Sequence, residues 1–162
     1  MFCRFLFFLE MINDVIYNKL RHYCAYQERC HEEVRTKLLS LKIYGSDLEE
    51  IINKLIEDDF LNEERFAKAY AGGKFRIKKW GRGKIINELK KRKVSAYCIK
   101  KGMEEIGEED YLNTLNKLLS TTIKKYKTNN DYETKNKVAR YLISRGFESE
   151  LVWGMINNKF SD

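Results

Sequence analysis

The apolar residues of this chain fall into three sets of five with a shared spacing. Val34, Leu38, Ile43, Leu48 and Ile52 are separated by 4, 5, 5 and 4 positions, and Ile85, Leu89, Val94, Ile99 and Met103 repeat that pattern 51 residues later. Val138, Leu142, Phe147, Val152 and Ile156 repeat it again after a further 53. A period of this size marks a repeat architecture. Within each set, two residues four apart share one helix face, a single residue sits at a corner, and two more share the face of the next helix. Each unit reads as helix, short turn, helix, with Ile43, Val94 or Phe147 plugging the corner. Ser46, Ser95 and Ser149 stand where the following helix needs an N-cap, and Glu49 follows Ser46 at the capping-box spacing.

A further helix precedes each pair. Asn62 is placed to cap one, Glu63 and Glu64 occupy its positive first turn, and Leu61 is spaced to staple to Phe66. Tyr111, Leu112, Leu115, Leu118, Leu119 and Ile123 keep helical spacing before the third pair, as do Ile12, Val15, Ile16 and Leu20 before the first. The expected fold is all-α, a tandem array of three three-helix repeats over residues 12–60, 61–108 and 109–160. Units of about 50 residues have too little core to stand alone, so neighbours must stack.

Composition agrees with helices. The 162 residues include no proline and only 9 glycines, so loop punctuation is sparse. Apolar residues make up 43% against 34% charged, which excludes a disordered tail. Residues 1–11 form an apolar extension, MFCRFLFFLEM, under half the length that spans a bilayer and without a small-residue cleavage site. It reads either as more of the first helix or as an upstream start with Met11 the true beginning, and we take the second reading. Cys3, Cys24, Cys30 and Cys98 form no CxxC, so free thiols in a cytoplasmic protein are expected.

Charge changes the picture from fold to function. Between Lys74 and Lys101 there are 12 basic residues against one acid, Glu88. Residues 1–73 carry net −3 and residues 102–162 net −1, so the whole excess of +7 comes from this one block. A focused positive field attracts polyanions and points to nucleic acid or an assembly coated with it. The candidate contacts are Lys74, Arg76, Lys78, Lys79, Trp80, Arg82, Lys84, Lys90, Lys91, Arg92 and Lys93. Exposed cations neutralise phosphates and release counterions, the arginines can grip phosphate or carboxylate with two bonds, and Trp80 can stack on a base. The competing reading is a solvated helical face, with Lys90 to Lys93 stabilising a helix C-terminus and Trp80 packing between helices beside Gly81. Tyr70 and Phe75 read as core, and Trp153, beside Val152 on the last helix, as core or an end-cap surface.

Several short motifs resemble those of the RecX family. They are Phe60-Leu61-Asn62-Glu63-Glu64-Arg65-Phe66-Ala67, Trp80-Gly81, Ile85 with Glu88-Leu89-Lys90, Arg145-Gly146-Phe147, and Glu33-Val34 with Lys37-Leu38. Their order, on top of the threefold repeat, covers residues 20–157. The resemblance implies an elongated, curved helical protein without catalytic activity or cofactor. It implies a regulator that docks, as a monomer, on the filament of the RecA recombinase and single-stranded DNA, usually restraining it. The chain departs from the family pattern in three ways. Asn62 stands for a common Asp, Arg82 for a common Pro, and Lys42 and Lys93 for a Gly that only the third unit keeps, as Gly146. A left-handed backbone at those lysines would cost on the order of 1 kcal/mol each.

Other chemistries fit poorly. His22, Cys24, Cys30 and His31 lack zinc-ligand spacing. Gly81-Arg82-Gly83-Lys84 is too short for a phosphate loop and is followed by Ile85 rather than Ser or Thr. The acidic runs Glu57-Asp58-Asp59 and Glu104-Glu105 read as exposed helix ends. An independent helix-turn-helix DNA-binding protein or transcription factor is the alternative function. Against it, the helix after the first corner carries Glu49 and Glu50, where a recognition helix presents Arg, Asn or Gln to base edges.

Overall fold

The computed structural model describes residues 2–128 and 130–161, with side chains from 14 to 160 apart from 129. Nine helices follow one another and no strand occurs among the described residues: α1 (Phe2–Tyr26), α2 (His31–Ser40), α3 (Gly45–Glu57), α4 (Glu63–Lys78), α5 (Arg82–Lys91), α6 (Ala96–Met103), α7 (Glu108–Tyr126), α8 (Asp131–Ser144) and α9 (Ser149–Ser161). They form the three expected triplets. Helix α1 runs through residues 2–11, whose side chains lie outside the described residues.

Thirteen of the fifteen repeat positions are buried, and the other two, Ile43 and Met103, are partly buried against the core. The repeat therefore encodes the inward face. The corners share one closure. The amide of the plug residue reaches back five positions, from Ile43 to Leu38 O (3.1 Å), Val94 to Leu89 O (3.2 Å) and Phe147 to Leu142 O (3.3 Å). This wrap requires a left-handed residue just before the plug, and Lys42 (φ 61°), Lys93 (φ 57°) and Gly146 (φ 94°) supply it.

The apolar residues separate into two clusters. One belongs to the first triplet and includes Leu20, Leu38, Ile52 and Leu55. The other is shared by the second and third triplets and includes Phe75, Leu89, Tyr111, Leu115, Leu142 and Ile156. Cys30, between α1 and α2, joins this second cluster and ties the first triplet to it. In the second triplet α6 crosses α4 at backbone distance, because a Cβ on Gly102 would come within 2.8 Å of the Ala67 carbonyl oxygen.

Some local expectations fail. Of the three serines only Ser95 caps its helix, accepting from the Cys98 amide at 3.3 Å. Helix α3 starts one residue before Ser46, with Tyr44 at the N-cap, and Glu49 pairs with Arg35 instead of closing a capping box. Ser149 is already inside α9. Leu61 and Phe66 are buried in different clusters, so each serves its own core. Val15 and Leu112 are exposed, since a helix covered on one side only cannot bury every apolar residue of a broad stripe. The Asn62 cap holds: its side chain accepts from the Arg65 amide at 3.0 Å.

Leu89 is fully buried and Lys91 on the same helix is exposed. Leu89→Ala should cost about 2–5 kcal/mol, whereas Lys91→Ala should stay within about 0.5 kcal/mol. Chemical denaturation of the two variants measures this, and equal losses would mean that the inward face is misassigned.

Candidate nucleic-acid interface

The basic block occupies the end of α4, all of α5, the following corner and α6 as far as Lys101. Its midpoint is fixed by the third triplet. The first turn of any helix leaves amide donors without partners, and α5 gives its own to α7 and the α8–α9 corner. Gly81 N–H donates to Arg145 O (2.8 Å), Gly83 N–H to Gly146 O (3.0 Å) and Arg82 N–H to the Tyr111 hydroxyl (3.2 Å). Tyr111 in turn donates to Glu148 at 2.6 Å. Burial, reinforced by that bond, pushes the phenol well above its ordinary pKa and keeps it a donor. From the other side, the Arg145 guanidinium donates to the carbonyls of Lys78 and Lys79 at the end of α4.

This explains the two glycines. A Cβ on Gly81 would overlap the backbone of Gly146 and Phe147, and a Cβ on Gly146 would overlap the backbone of Lys84. Gly146 is thus needed for space as well as for its φ. At the other two corners only the φ is demanding, and Lys42 and Lys93 can stand there.

The structure divides the eleven candidate residues into two groups. Five act largely within the protein. Arg82 stacks 4.2 Å from the Tyr111 ring centroid and pairs with Glu108 at 2.7 Å. Arg92 lies 4.9 Å from the Tyr70 ring and pairs with Glu88 at 3.1 Å. Lys91 also pairs with Glu88, at 2.8 Å, and the two cations together, Lys91 first, hold its carboxyl below the usual range. Lys93 reaches across to Glu32 at 2.9 Å, linking the second triplet to the first. Trp80 is half-buried against the shared core.

The rest are available. Lys74, Arg76, Lys78, Lys79, Lys84 and Lys90 form no ion pair with a described residue. Lys84 and Lys74 sit over the Trp80 ring, 4.7 and 5.4 Å from its centroid, so the partly exposed aromatic is bracketed by cations. Lys74, Lys78 and Arg92 also meet Tyr70 and the exposed Ile77 along a cleft of about 470 Å³ that runs back to Gln27, Glu28 and Glu33. That cleft between the first two triplets was not legible in the sequence, because its walls lie more than 30 residues apart.

Among the described residues, no three His, Cys, Asp or Glu side chains group to hold a metal ion. Cys24 and Cys30 lie in different clusters, and burial pushes the Cys24 thiol up to about 11. His31 faces Glu63 at 3.8 Å. No described helix is long and apolar enough to cross a membrane.

The division predicts opposite outcomes for neighbouring cations. Arg82→Ala removes a stacked and ion-paired side chain and should lower the melting temperature by the equivalent of about 1–2 kcal/mol. Lys90→Ala should leave it unchanged. A thermal melt showing equal, small effects would mean that the Arg82 side chain does not brace the junction with α7.

Comparison with known proteins fits this architecture. The profile for RecX, second three-helix domain, matches residues 62–103, and that for RecX, third three-helix domain, matches residues 108–156. A protein named Regulatory protein RecX from Finegoldia magna is 26% identical over 132 residues, covering 80% of this chain and 64% of the relative. One of the same name from Clostridium tetani is 29% identical over 131 residues, covering 80% and 60%. The chain therefore spans between about half and two thirds of the length of such relatives, 48% in the case of Bacillus cytotoxicus. The crystal structure of RecX from Lactobacillus salivarius superposes with a TM-score of 0.81 at 24% identity, covering 92% of this chain and 96% of that one, and shows the same fold. The matched domains take in more than half of the chain, and with them the Trp80-Gly81 and Arg145-Gly146-Phe147 motifs that the fold brings together: the chain belongs to the RecX family.

Proposed function

We propose that this protein is a non-enzymatic, cytoplasmic regulator of the RecA recombinase that binds the RecA–single-stranded DNA filament and restrains it. Family membership supports a regulatory role. The observation that carries the filament reading is the set of cations around Trp80 and the end of α4 that no described acid neutralises. Exposed cations beside an aromatic ring suit a single-stranded polynucleotide, whose phosphates and base faces alternate along the chain. The clamp between the second and third triplets holds that surface in fixed register with α7–α9. An array of this kind reaches more than one point of a repeating filament and gains from linked contacts.

Three measurements test the reading. Added protein should slow DNA-dependent ATP hydrolysis and strand exchange by the cognate RecA with DNA in excess. Inhibition that vanishes under that condition would mean simple sequestration of DNA. Affinity for single-stranded DNA should fall steeply with salt, with a log–log slope near −0.7 per phosphate neutralised. Replacing Arg76, Lys78, Lys79 and Lys90 together with Ala should flatten that slope by about 3 units and leave helicity intact, because none of the four is ion-paired within the protein. An unchanged slope would place the contact elsewhere.

A further inference from the structure

We propose that the third triplet carries a second nucleic-acid contact, separate from the basic block, where the ends of α7 and α9 meet the start of α8. The proposal rests on the single-stranded DNA reading above and extends it to a site in the last third of the sequence.

Residues 102–162 carry net −1, so the sequence gives no sign of a basic surface there. Folding separates the signs. Lys124 and Lys127 at the end of α7 and Lys159 near the end of α9 line one cavity of about 510 Å³, together with Ser120, Ile123 and Phe160. Lys135 on α8 adds a fourth cation, its ammonium 5.1 Å from the Phe160 ring centroid. Among the described residues, the one acid in the lining is Asp131 in the first turn of α8. Lys124, Lys127 and Lys159 are exposed and form no ion pair with a described residue. The other acid of that first turn, Glu133, is already paired with Lys137 at 2.7 Å.

Lysines at a helix C-terminus are favourable with the helix dipole, which accounts for their presence at two helix ends. It does not account for their convergence on a cavity that also presents Ile123 and Phe160, both only partly buried. Apolar and aromatic surface rimmed by unpaired cations matches a base beside its phosphates, whereas an acidic protein surface would need the cations alone. The arrangement echoes the first site, where lysines bracket a half-exposed Trp80. Two such contacts on one rigid pair of triplets would let a single strand bind more tightly once it is long enough to reach both.

The test uses the full chain and labelled single-stranded oligonucleotides of increasing length, with affinity followed against salt by fluorescence anisotropy. The triple variant Lys124→Ala, Lys127→Ala, Lys159→Ala should flatten the log–log salt slope by about 2 units. It should also lose the extra affinity that long oligonucleotides gain over short ones. Lys124→Arg, Lys127→Arg, Lys159→Arg should retain both. Lys19→Ala, Lys42→Ala, Lys54→Ala removes the same charge from the first triplet and should leave the slope near wild type. Equal slopes for the two alanine triples, or a wild-type slope in the first, would overturn the second contact, and an acidic protein partner at this cavity would give that result. If the variant at Arg76, Lys78, Lys79 and Lys90 still flattens the slope in that case, only the second contact fails. If the wild-type chain binds no single-stranded DNA at all, the proposed function and this extension fail together.

Discussion

Everything in the second and third triplets depends on how the first turn of α5 is satisfied. A helix start buried against another element must find acceptors for its free amides. Here the acceptors are two corner carbonyls and a buried phenol, and the corner's own arginine returns the favour to the end of α4. This reciprocal clamp requires backbone-to-backbone contact. That is why Gly81 and Gly146 have no room for a Cβ. Once the clamp is set, Tyr111 is buried between the triplets, within reach of Phe75 and Phe147, and their apolar faces merge into one core.

The junction between the first and second triplets is built differently. It relies on side chains: Arg65 donates to Glu28 at 2.6 Å and pairs with Asp59 at 3.0 Å, Lys93 pairs with Glu32, and Cys30 is inserted into the neighbouring core. Partly exposed ion pairs of this kind contribute modestly and weaken with salt. The array is therefore stiff on one side of the second triplet and more weakly joined on the other. The cleft lined by Tyr70, Lys74 and Arg92 opens at the weaker junction.

Charge also looks different once the chain is folded. Counted along the sequence, the block is 12 cations against one acid. In space, Arg82 and Lys93 take acids from neighbouring elements, Glu108 and Glu32, Lys101 pairs with Glu104 at the end of its own helix, and Glu88 holds two more cations. What remains without an ion pair to a described residue is a narrower set around Trp80 and the ends of α4 and α5. The near-neutral third triplet conversely gathers Lys124, Lys127, Lys135 and Lys159 around Phe160.

The helical repeat was fully legible in the sequence, because burial of one face imposes a period that survives any choice of apolar residue. The helix order and the corner plugs follow from that period alone, whereas the residues just before the plugs drew attention only through the family pattern, and the backbone then shows Lys42, Lys93 and Gly146 to be left-handed. Caps were less legible. A serine near a helix start is a local signal, and at Ser46 and Ser149 a shift of one or two residues in the helix boundary removes its role. The sequence also marked Trp80-Gly81 and Arg145-Gly146-Phe147 as motifs without saying that they touch. Only tertiary structure decided that, since partners 64 residues apart leave no periodic trace. It decided in the same way which cations are spent on neighbours and which stay free. Helix faces follow from local spacing, whereas ion pairing and clefts follow from which elements come to lie side by side.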